Sequence, residues 1–409
     1  MFLRPAFAGS MALGLLLVLG SARANDINST LTRQMHAAVD YLHAQIGADG
    51  RMVYRRDART GQVMSGRYNL LRHAGTLLVL GQYHAIHPAD ATQRRAALSA
   101  LDFLRRCCLS PSRPGASDHT IWSDPALVGG RRSYPLAKLG GAALALAAMA
   151  QWRQLLPDQV DLTPMQALGR FIVSMQQSDG RFRSLHAHQS GQHDPQWASL
   201  YYPGQASLSL ILLYEQDGDD RWLMTAIDGL LALAREREGQ SDPPPDHWAM
   251  LATARLAHLA PSALNSALPS GLSWSHEAGT TAVAPVLRDH VLSIAKVMLH
   301  DQTDAVDCRR GSFGHDGRST PTAVRLEGLL AVLEHLPAGS ERIRIEASVH
   351  AGIRFLSSAQ WTTGPAQGGF SRVSPICTSD DPRAHEVRID YVQHALAALL
   401  GYLSMGIQR

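Results

Sequence analysis

Apolar positions recur along this chain in two alternating kinds of segment. In the first kind, one apolar stripe runs beside a polar face. Leu31, Met35, Ala38, Val39, Leu42 and Ile46 fall at helical spacing within 29–47, and that period predicts an amphipathic helix. The stripe returns in 92–108 (Ala97, Leu101, Leu104, Cys108), in 162–176 (Met165, Leu168, Phe171, Ile172, Met175), and in 220–236, 286–302 and 341–359. Segments of the second kind are apolar nearly all round. Gly140 to Ala150 reads GGAALALAAMA, Ser207 to Leu213 reads SLSLILL, and His394 to Leu400 reads HALAALL. Such helices are buried on every side, and their small residues let neighbouring backbones approach closely.

The two kinds alternate, and the second kind starts near Tyr68, Tyr134, Tyr202, Asp246, Thr322 and Ile389. Six helical hairpins with the apolar helices inside and the amphipathic helices outside predict an all-α (α/α)6 toroid. An open α-solenoid has the same alternation. Six repeats averaging about 64 residues favour the closed ring. Closure predicts that the first inner helix (68–83) packs against the last (389–405).

Loop lengths give the ring a polarity. Connections entering the inner helices span about 48–67, 109–133, 177–201, 237–245, 303–319 and 361–388. Return connections are short, with 260–285 the one long exception. Long loops gathered on one face mark the working face. Several carry a turn: Ala48-Asp49-Gly50-Arg51, Ser178-Asp179-Gly180-Arg181, His315-Asp316-Gly317-Arg318 and Gly368-Gly369-Phe370. Asp-Gly favours turns because Gly accepts positive φ, so these read as structural repeats and Asp316 as no catalyst.

Helix, Gln, Asp-Gly, aromatic, second helix resembles the repeat of α/α toroid proteins, and Gln176-Gln177-Ser178-Asp179-Gly180-Arg181-Phe182 is its clearest copy. That group includes six-hairpin glycosidases, polysaccharide lyases, sugar epimerases and terpenoid cyclases. Tyr202-Pro203-Gly204-Gln205-Ala206, then Leu213-Tyr214-Glu215 and Gly218-Asp219-Asp220, is similar over some 30 residues to the C-terminal domain of glucuronyl C5-epimerases. The resemblance implies the toroid fold and a carbohydrate substrate. The acidic cluster of a terpene cyclase is absent from the inner helix starts.

Residues 1–24 read as a secretory signal, with Arg4, an apolar run from Met11 to Leu19, and Ala22-Arg23-Ala24 at the cleavage rule. The run is short for a membrane span, although an uncleaved anchor is the alternative. The expected mature chain is one toroid domain, 25–409, periplasmic or secreted and with no stable membrane span after cleavage. A net charge of +3 is too small to argue for nucleic acid. Of the four Cys, Cys308 and Cys377 lie in successive long loops on one face and are the expected disulfide; Cys107 and Cys108 end one helix. There is no CxxC pair, and although His186-Ala187-His188 with His193-Asp194 has the composition of a metal loop, no metal is expected. No P-loop, dinucleotide fingerprint or Gly-x-Ser-x-Gly elbow occurs, so no cofactor is expected.

The inner helix starts are polar for helices so apolar further along. Candidate catalytic groups are His73, Tyr202, Asp246, Glu327 and Asp390. Candidate substrate-binding groups are Tyr68, Asn69, Arg72, Trp197, Gln205, His247, Arg325, Arg388, Tyr391 and His394. Each has a structural reading too. Asp246 and Asp390 stand where N-caps stand. Glu327 and Arg325 can pair within the ring. His73 and His394 lie inside helices, where buried histidines are often simply satisfied. Arg72, Arg325 and Arg388 can hold a carboxylate through bidentate bonds, which points to an acidic, uronate-containing polysaccharide or oligosaccharide. Tyr and His beside that carboxylate suit lyase or epimerase chemistry. A neutral glycan would instead call for hydrolysis by a carboxylate pair such as Asp246 and Asp390. A third reading is a non-catalytic glycan-binding protein of an envelope polysaccharide assembly or export system, with partners to match.

Overall fold

The computed structural model describes residues 9–129, 133–187, 197–268, 270–275, 281–314 and 316–406, the side chains of 9–26 and of Thr281 aside. The elements follow the chain as α1 (Gly9–Ala44), β1 (Arg55–Asp57), α2 (Leu70–His84), α3 (Ala91–Cys108), β2 (Leu109–Pro111), β3 (His119–Ser123), α4 (Pro125–Val128), β4 (Leu136–Lys138) and α5 (Leu139–Leu155). Then come α6 (Leu162–Ser174), β5 (Leu185–Ala187), α7 (Tyr202–Asp217), α8 (Asp220–Arg237), α9 (His247–Ala257), α10 (Pro261–Ala267), β6 (Leu272–Ser273) and β7 (Thr281–Ala282). The last are α11 (Val283–His300), α12 (Ser319–Leu333), α13 (Ser340–Ser358), β8 (Glu386–Arg388) and α14 (Ile389–Ser404).

The inner helices are α2, α5, α7, α9, α12 and α14. Each packs on the next, and α14 packs back on α2, so the ring closes. Small residues set the inner spacing. A Cβ on Gly140 would lie 2.5 Å from the Tyr202 ring across the α5–α7 contact, and one on Gly328 would lie 2.8 Å from the Met250 sulfur across α12–α9. The outer helices α1, α3, α6, α8, α11 and α13 bury only their stripes. The second inner helix starts at Leu139 rather than near Tyr134, because Leu136–Lys138 first pairs as β4. The chain around Ala24 lies within the continuous helix α1, in which Leu31 is the first buried residue among the described side chains.

The recurring turn is structural, as its Asp-Gly pattern predicts. Gly50, Gly180, Gly311 and Gly368 all have positive φ. A Cβ on any of them would lie 2.0–2.7 Å from a carbonyl oxygen of the next outer helix: Ser99, Asp228, Ala351 and Ala37 respectively. Gln176 donates to the Gly180 and Thr225 carbonyls, Gln302 to Gly311 and Ser348, and Gln360 to Gly368 and Gln34. One amide thereby ties its own turn to the adjoining outer helix. The copy in the loop before α12 is Gly311 followed by Phe313, not Asp316-Gly317; the Gln302–Phe313 bridge marks the register.

The entering loops add small sheets that period-3.6 patterning cannot signal. A four-stranded antiparallel sheet runs β2-β3-β4-β5, and β1 pairs with β8 so that Arg55 faces Arg388. The second pairing joins the first entering loop to the last on the face where the ring closes. Cys308 is bonded to Cys377 with Cα atoms 5.5 Å apart, linking the loops that enter α12 and α14. Cys107 is bonded to its neighbour Cys108. Among the described residues, no helix is long and apolar enough to cross a membrane.

Candidate active site

The first turns of the inner helices surround a cavity of about 470 Å³ at the ring's decorated end, within the size range of small-molecule sites. Asn69 and Arg72 reach it from α2, Tyr202 and Gln205 from α7, and His247 and Trp248 from α9. Thr320 and Arg325 come from α12, and Asp390, Tyr391, Gln393 and His394 from α14. Trp197, Ser199, Arg318, Arg372 and Arg388 come from the entering loops.

Five arginines line this space, against one carboxylate among the described residues. Asp390 is held between two of them: Arg72 Nε donates to Oδ2 at 2.7 Å, and Arg388 donates through Nε at 2.9 Å and through a terminal nitrogen at 2.7 Å. Burial works against this carboxylate, and Arg72 and Arg388 overcome it, so its pKa falls below the ordinary value. Arg325 pairs with Asp301 at 2.8 Å, Arg372 with Asp381 at 2.5 Å, and Arg318 with Asp316. Those three carboxylates do not line the cavity, so the guanidinium groups stand between them and the space. Inner helix N-termini add partial positive charge. Arg388 also lies 4.3 Å from the centre of the Tyr391 ring.

Two imidazoles meet on one wall. The His247 and His394 rings are 5.6 Å apart, edge to face. His394 Nδ1 and Glu327 Oε1 are 2.7 Å apart. Burial opposes a charged imidazole here, but the Glu327 carboxylate and then Asp390 outweigh it, and the His394 pKa is raised. Burial also pushes the Glu327 carboxyl up. The shared proton belongs on His394, because imidazole is the stronger base by about two pH units and Asp390 adds a second negative charge. His247 is the opposite case. It is buried, neither ring nitrogen has a hydrogen-bond partner among the described residues, and its pKa is lowered well below the ordinary value by burial, with His394 and Arg325 adding to the effect. The surroundings push the two imidazoles in opposite directions, His394 toward its charged form and His247 toward its neutral one. Two groups whose surroundings drive their pKa values apart are the mark of an acid and a base.

The donor atoms of His247, Glu327 and His394 lie within 4.8 Å of one another. A metal ion there would have to break the short Glu327–His394 bond, which favours proton transfer over ligation. Gln205 Oε1, Gln393 Oε1 and Thr320 Oγ1 also lack partners among the described residues. Buried polar groups ordinarily have one, and here a polar ligand in the cavity can supply it. Burial raises the Tyr202 and Tyr391 phenols to about 12, so both keep their protons near neutrality, and the Tyr391 O–H is donated to Glu386 Oε1 at 3.0 Å.

Several predicted site residues lie elsewhere. His73 is fully buried with both nitrogens engaged: Nε2 donates to the Ala100 carbonyl at 2.9 Å, and Nδ1 is 2.6 Å from the Tyr68 hydroxyl. Tyr68 in turn accepts from the Met52 N–H at 3.0 Å. Both belong to the α1–α2–α3 packing, because His73 faces outward to α3 rather than inward. Asp246 is the N-cap of α9, accepting from the Ala249 N–H at 3.2 Å and pairing with buried Arg237 at 2.8 Å; it lies outside the cavity lining. Glu327 touches the cavity only through His394. Asn69 lines the cavity but spends its side chain capping α2. His188, His193 and Asp194 lie outside the described residues, and His186 is buried beside the Ser112 carbonyl. The sequence reading missed Arg318, Arg372, Thr320 and Gln393. Arg318 immediately precedes α12 just as Arg388 precedes α14, and that positional match was available. Arg372 sits inside a long loop with no periodic marker.

No protein-family model matches the sequence. No curated protein matches it either. The fold does match solved structures. Cellobiose 2-epimerase from Bacillus thermoamylovorans B4167 superposes with a TM-score of 0.67 at 10% identity, covering 93% of this chain and 100% of the other. A D-mannose isomerase gives 0.66 at 11% identity, covering 92% and 97%. A glycosyl hydrolase of family 88 from Bacteroides vulgatus gives 0.55 at 12% identity, covering 92% and 99%. At such identities the likeness establishes the α/α toroid fold, which carries more than one carbohydrate chemistry.

Proposed function

We propose that this protein is a periplasmic or secreted glycan-active enzyme that moves a proton at a sugar carbon, by epimerase or lyase chemistry, on an acidic, uronate-containing chain. The observation that carries the reading is the contact of His247, which burial holds toward its neutral form, with His394, which Glu327 holds toward its charged form, in a cavity lined by five arginines. Abstracting the hydrogen next to a uronate carboxylate leaves negative charge on the carboxylate oxygens. Arginines fixed in advance stabilise that charge where it develops. His247 takes the proton. In elimination, His394 on the same wall protonates the leaving oxygen; in epimerisation the returning proton comes from water on the opposite face of the carbon, because the two imidazoles share one wall. The Tyr202 phenol, protonated near neutrality, serves as a hydrogen-bond donor.

A second cavity of about 510 Å³ opens beyond Trp197, which lines both spaces together with Ser199. That supports a chain longer than one sugar, with the exposed Trp197 ring as a stacking platform. Hydrolysis by a carboxylate pair has little support, because Asp246 is outside the cavity and Asp390 is locked between arginines. A neutral sugar, epimerised or isomerised next to its reducing-end carbonyl, is the second reading. The fold likeness to a cellobiose 2-epimerase and a D-mannose isomerase favours it. Secretion rests on the N-terminal segment and the two disulfides.

The test is a panel of acidic and neutral glycans, assayed together for new reducing ends, for the ultraviolet absorbance of an unsaturated uronate, and for changed sugar configuration by NMR. Turnover confined to acidic glycans supports the reading. Turnover confined to neutral reducing sugars moves the assignment to the second reading. No turnover on any member leaves a glycan-binding protein as the better account.

A further inference from the structure

At the end of the ring opposite the arginine-lined cavity, the last turns of α9 and α12 bring three donor side chains together. His258 follows the end of α9, and Glu334 and His335 follow the end of α12. One donor atom from each lies within 4.8 Å of the others. His258 Nε2 and Glu334 Oε1 are 3.4 Å apart, and the two imidazole rings are 5.1 Å apart. Two donors each about 2.1 Å from a tetrahedral ion stand about 3.4 Å apart, so this pair already has the spacing of two ligands on one ion.

Two further observations point to a cation. The C-terminal ends of both helices converge here, and their carbonyl dipoles favour positive charge. The Ala254 backbone carbonyl also faces the His335 ring and favours a proton on the nitrogen nearest it. A ring nitrogen held by a backbone carbonyl leaves the other nitrogen unprotonated and aimed outward, as in histidines that ligate metals. The nearby cations are occupied. Arg255 forms a two-point pair with Glu215 at 2.6 and 2.7 Å. Arg342 is bonded to Glu346 and to the Leu333 and Leu336 carbonyls at 2.8 Å.

We infer that His258, Glu334 and His335 form a surface site for a borderline divalent transition cation of the Zn²⁺ class. Two imidazoles and a carboxylate suit such an ion better than Mg²⁺ or Ca²⁺, which take oxygen ligands. All three side chains are exposed, so the ion enters without rearrangement, and water completes its coordination. His258 and Glu334 also edge a cavity of about 730 Å³ at this end, so the open positions face a space where an anion can sit. Bound metal would clip the C-terminal ends of two neighbouring inner helices and raise the melting temperature by mass action.

The experiment uses untagged full-length protein and Zn²⁺ alone, with binding measured by equilibrium dialysis at neutral pH and melting followed in parallel. The chain has other histidine clusters, so the comparison is between the wild type, the double variant His258→Gln/His335→Gln, and His247→Gln at the opposite end. The expected result is that the double variant binds one equivalent fewer than the wild type and loses the Zn²⁺-dependent rise in melting temperature. His247→Gln should keep both. Acidification through the ordinary imidazole range should release the ion. Equal stoichiometry and equal melting shifts in the wild type and the double variant would overturn the site, as would a wild type that binds no Zn²⁺.

Discussion

Replacing Glu327 by Gln removes one negative charge from behind His394 and keeps the side chain's size. Glu327 Oε1 is 2.7 Å from His394 Nδ1; Glu327 is buried and His394 partly so. With charge centres about 4 Å apart and an effective dielectric near 20, the attraction is about 4 kcal/mol. Without it, burial weighs more heavily and the His394 pKa falls, so less of the imidazole is charged at neutral pH. Loss of a charged general acid should lower kcat by about 100-fold at neutral pH. The deficit should shrink as the pH falls and the imidazole regains its proton. The assay is kcat against pH for wild type and Glu327→Gln on whichever glycan turns over, with melting curves at each pH to confirm that both remain folded. An acid-side rise in the variant that the wild type lacks is the expected signature. A deficit of equal size at every pH would mean that Glu327 only shapes the site. No deficit at all would remove His394 from proton transfer.

Arg388→Ala should raise KM for an acidic glycan more than it lowers kcat, and should flatten the salt dependence of binding; titration at two ionic strengths checks this. Asp390→Asn should also act mainly on KM, since the carboxylate orients Arg72 and Arg388; a kcat-only effect would return Asp390 to the chemistry. Tyr68→Phe leaves the Met52 N–H and His73 Nδ1 without their partner and should cost about 1–3 kcal/mol in chemical denaturation. Stability should fall with acidification. His43, His73 and His290 have folded pKa values of about 4, lowered chiefly by burial, below the ordinary imidazole value near 6.5. The unfolded chain therefore binds more protons in that window. The stability these groups contribute is present above pH about 6.5 and is lost toward about 4, by up to about 1.4 kcal/mol per pH unit for each. A melting temperature unchanged between those limits would contradict it.

Much of the ring was legible in the apolar pattern. Outer helices predicted at 92–108, 220–236 and 341–359 form at Ala91–Cys108, Asp220–Arg237 and Ser340–Ser358, because one buried stripe leaves a clear period. Ring closure followed from repeat number and from small residues at inner contacts. The site was partly legible. Arg72, Arg325 and Arg388 could be placed near one another because each lies at or just inside an inner helix start. His73 deceived for a geometric reason. It sits as close to its helix start as His394 does, but about five residues into a helix the facing side depends on rotation, and His73 turns outward to α3. Asp246 was ambiguous because an N-cap and a catalytic acid occupy the same position. The contrast between His247 and His394 depends on contacts across helices, with Glu327 67 residues from His394, and no local pattern encodes that.

The most direct test of the proton-transfer reading is turnover in D₂O with NMR or mass detection at the sugar carbons. The account predicts that product, or substrate recovered from a reversible reaction, carries solvent deuterium at a carbon next to the carboxylate or carbonyl, or else shows the double bond of elimination. Replacing His247 by Gln should abolish either outcome. Cleaved product with new reducing ends, no carbon-bound deuterium and no unsaturation would mean hydrolysis, and would contradict the account at its centre.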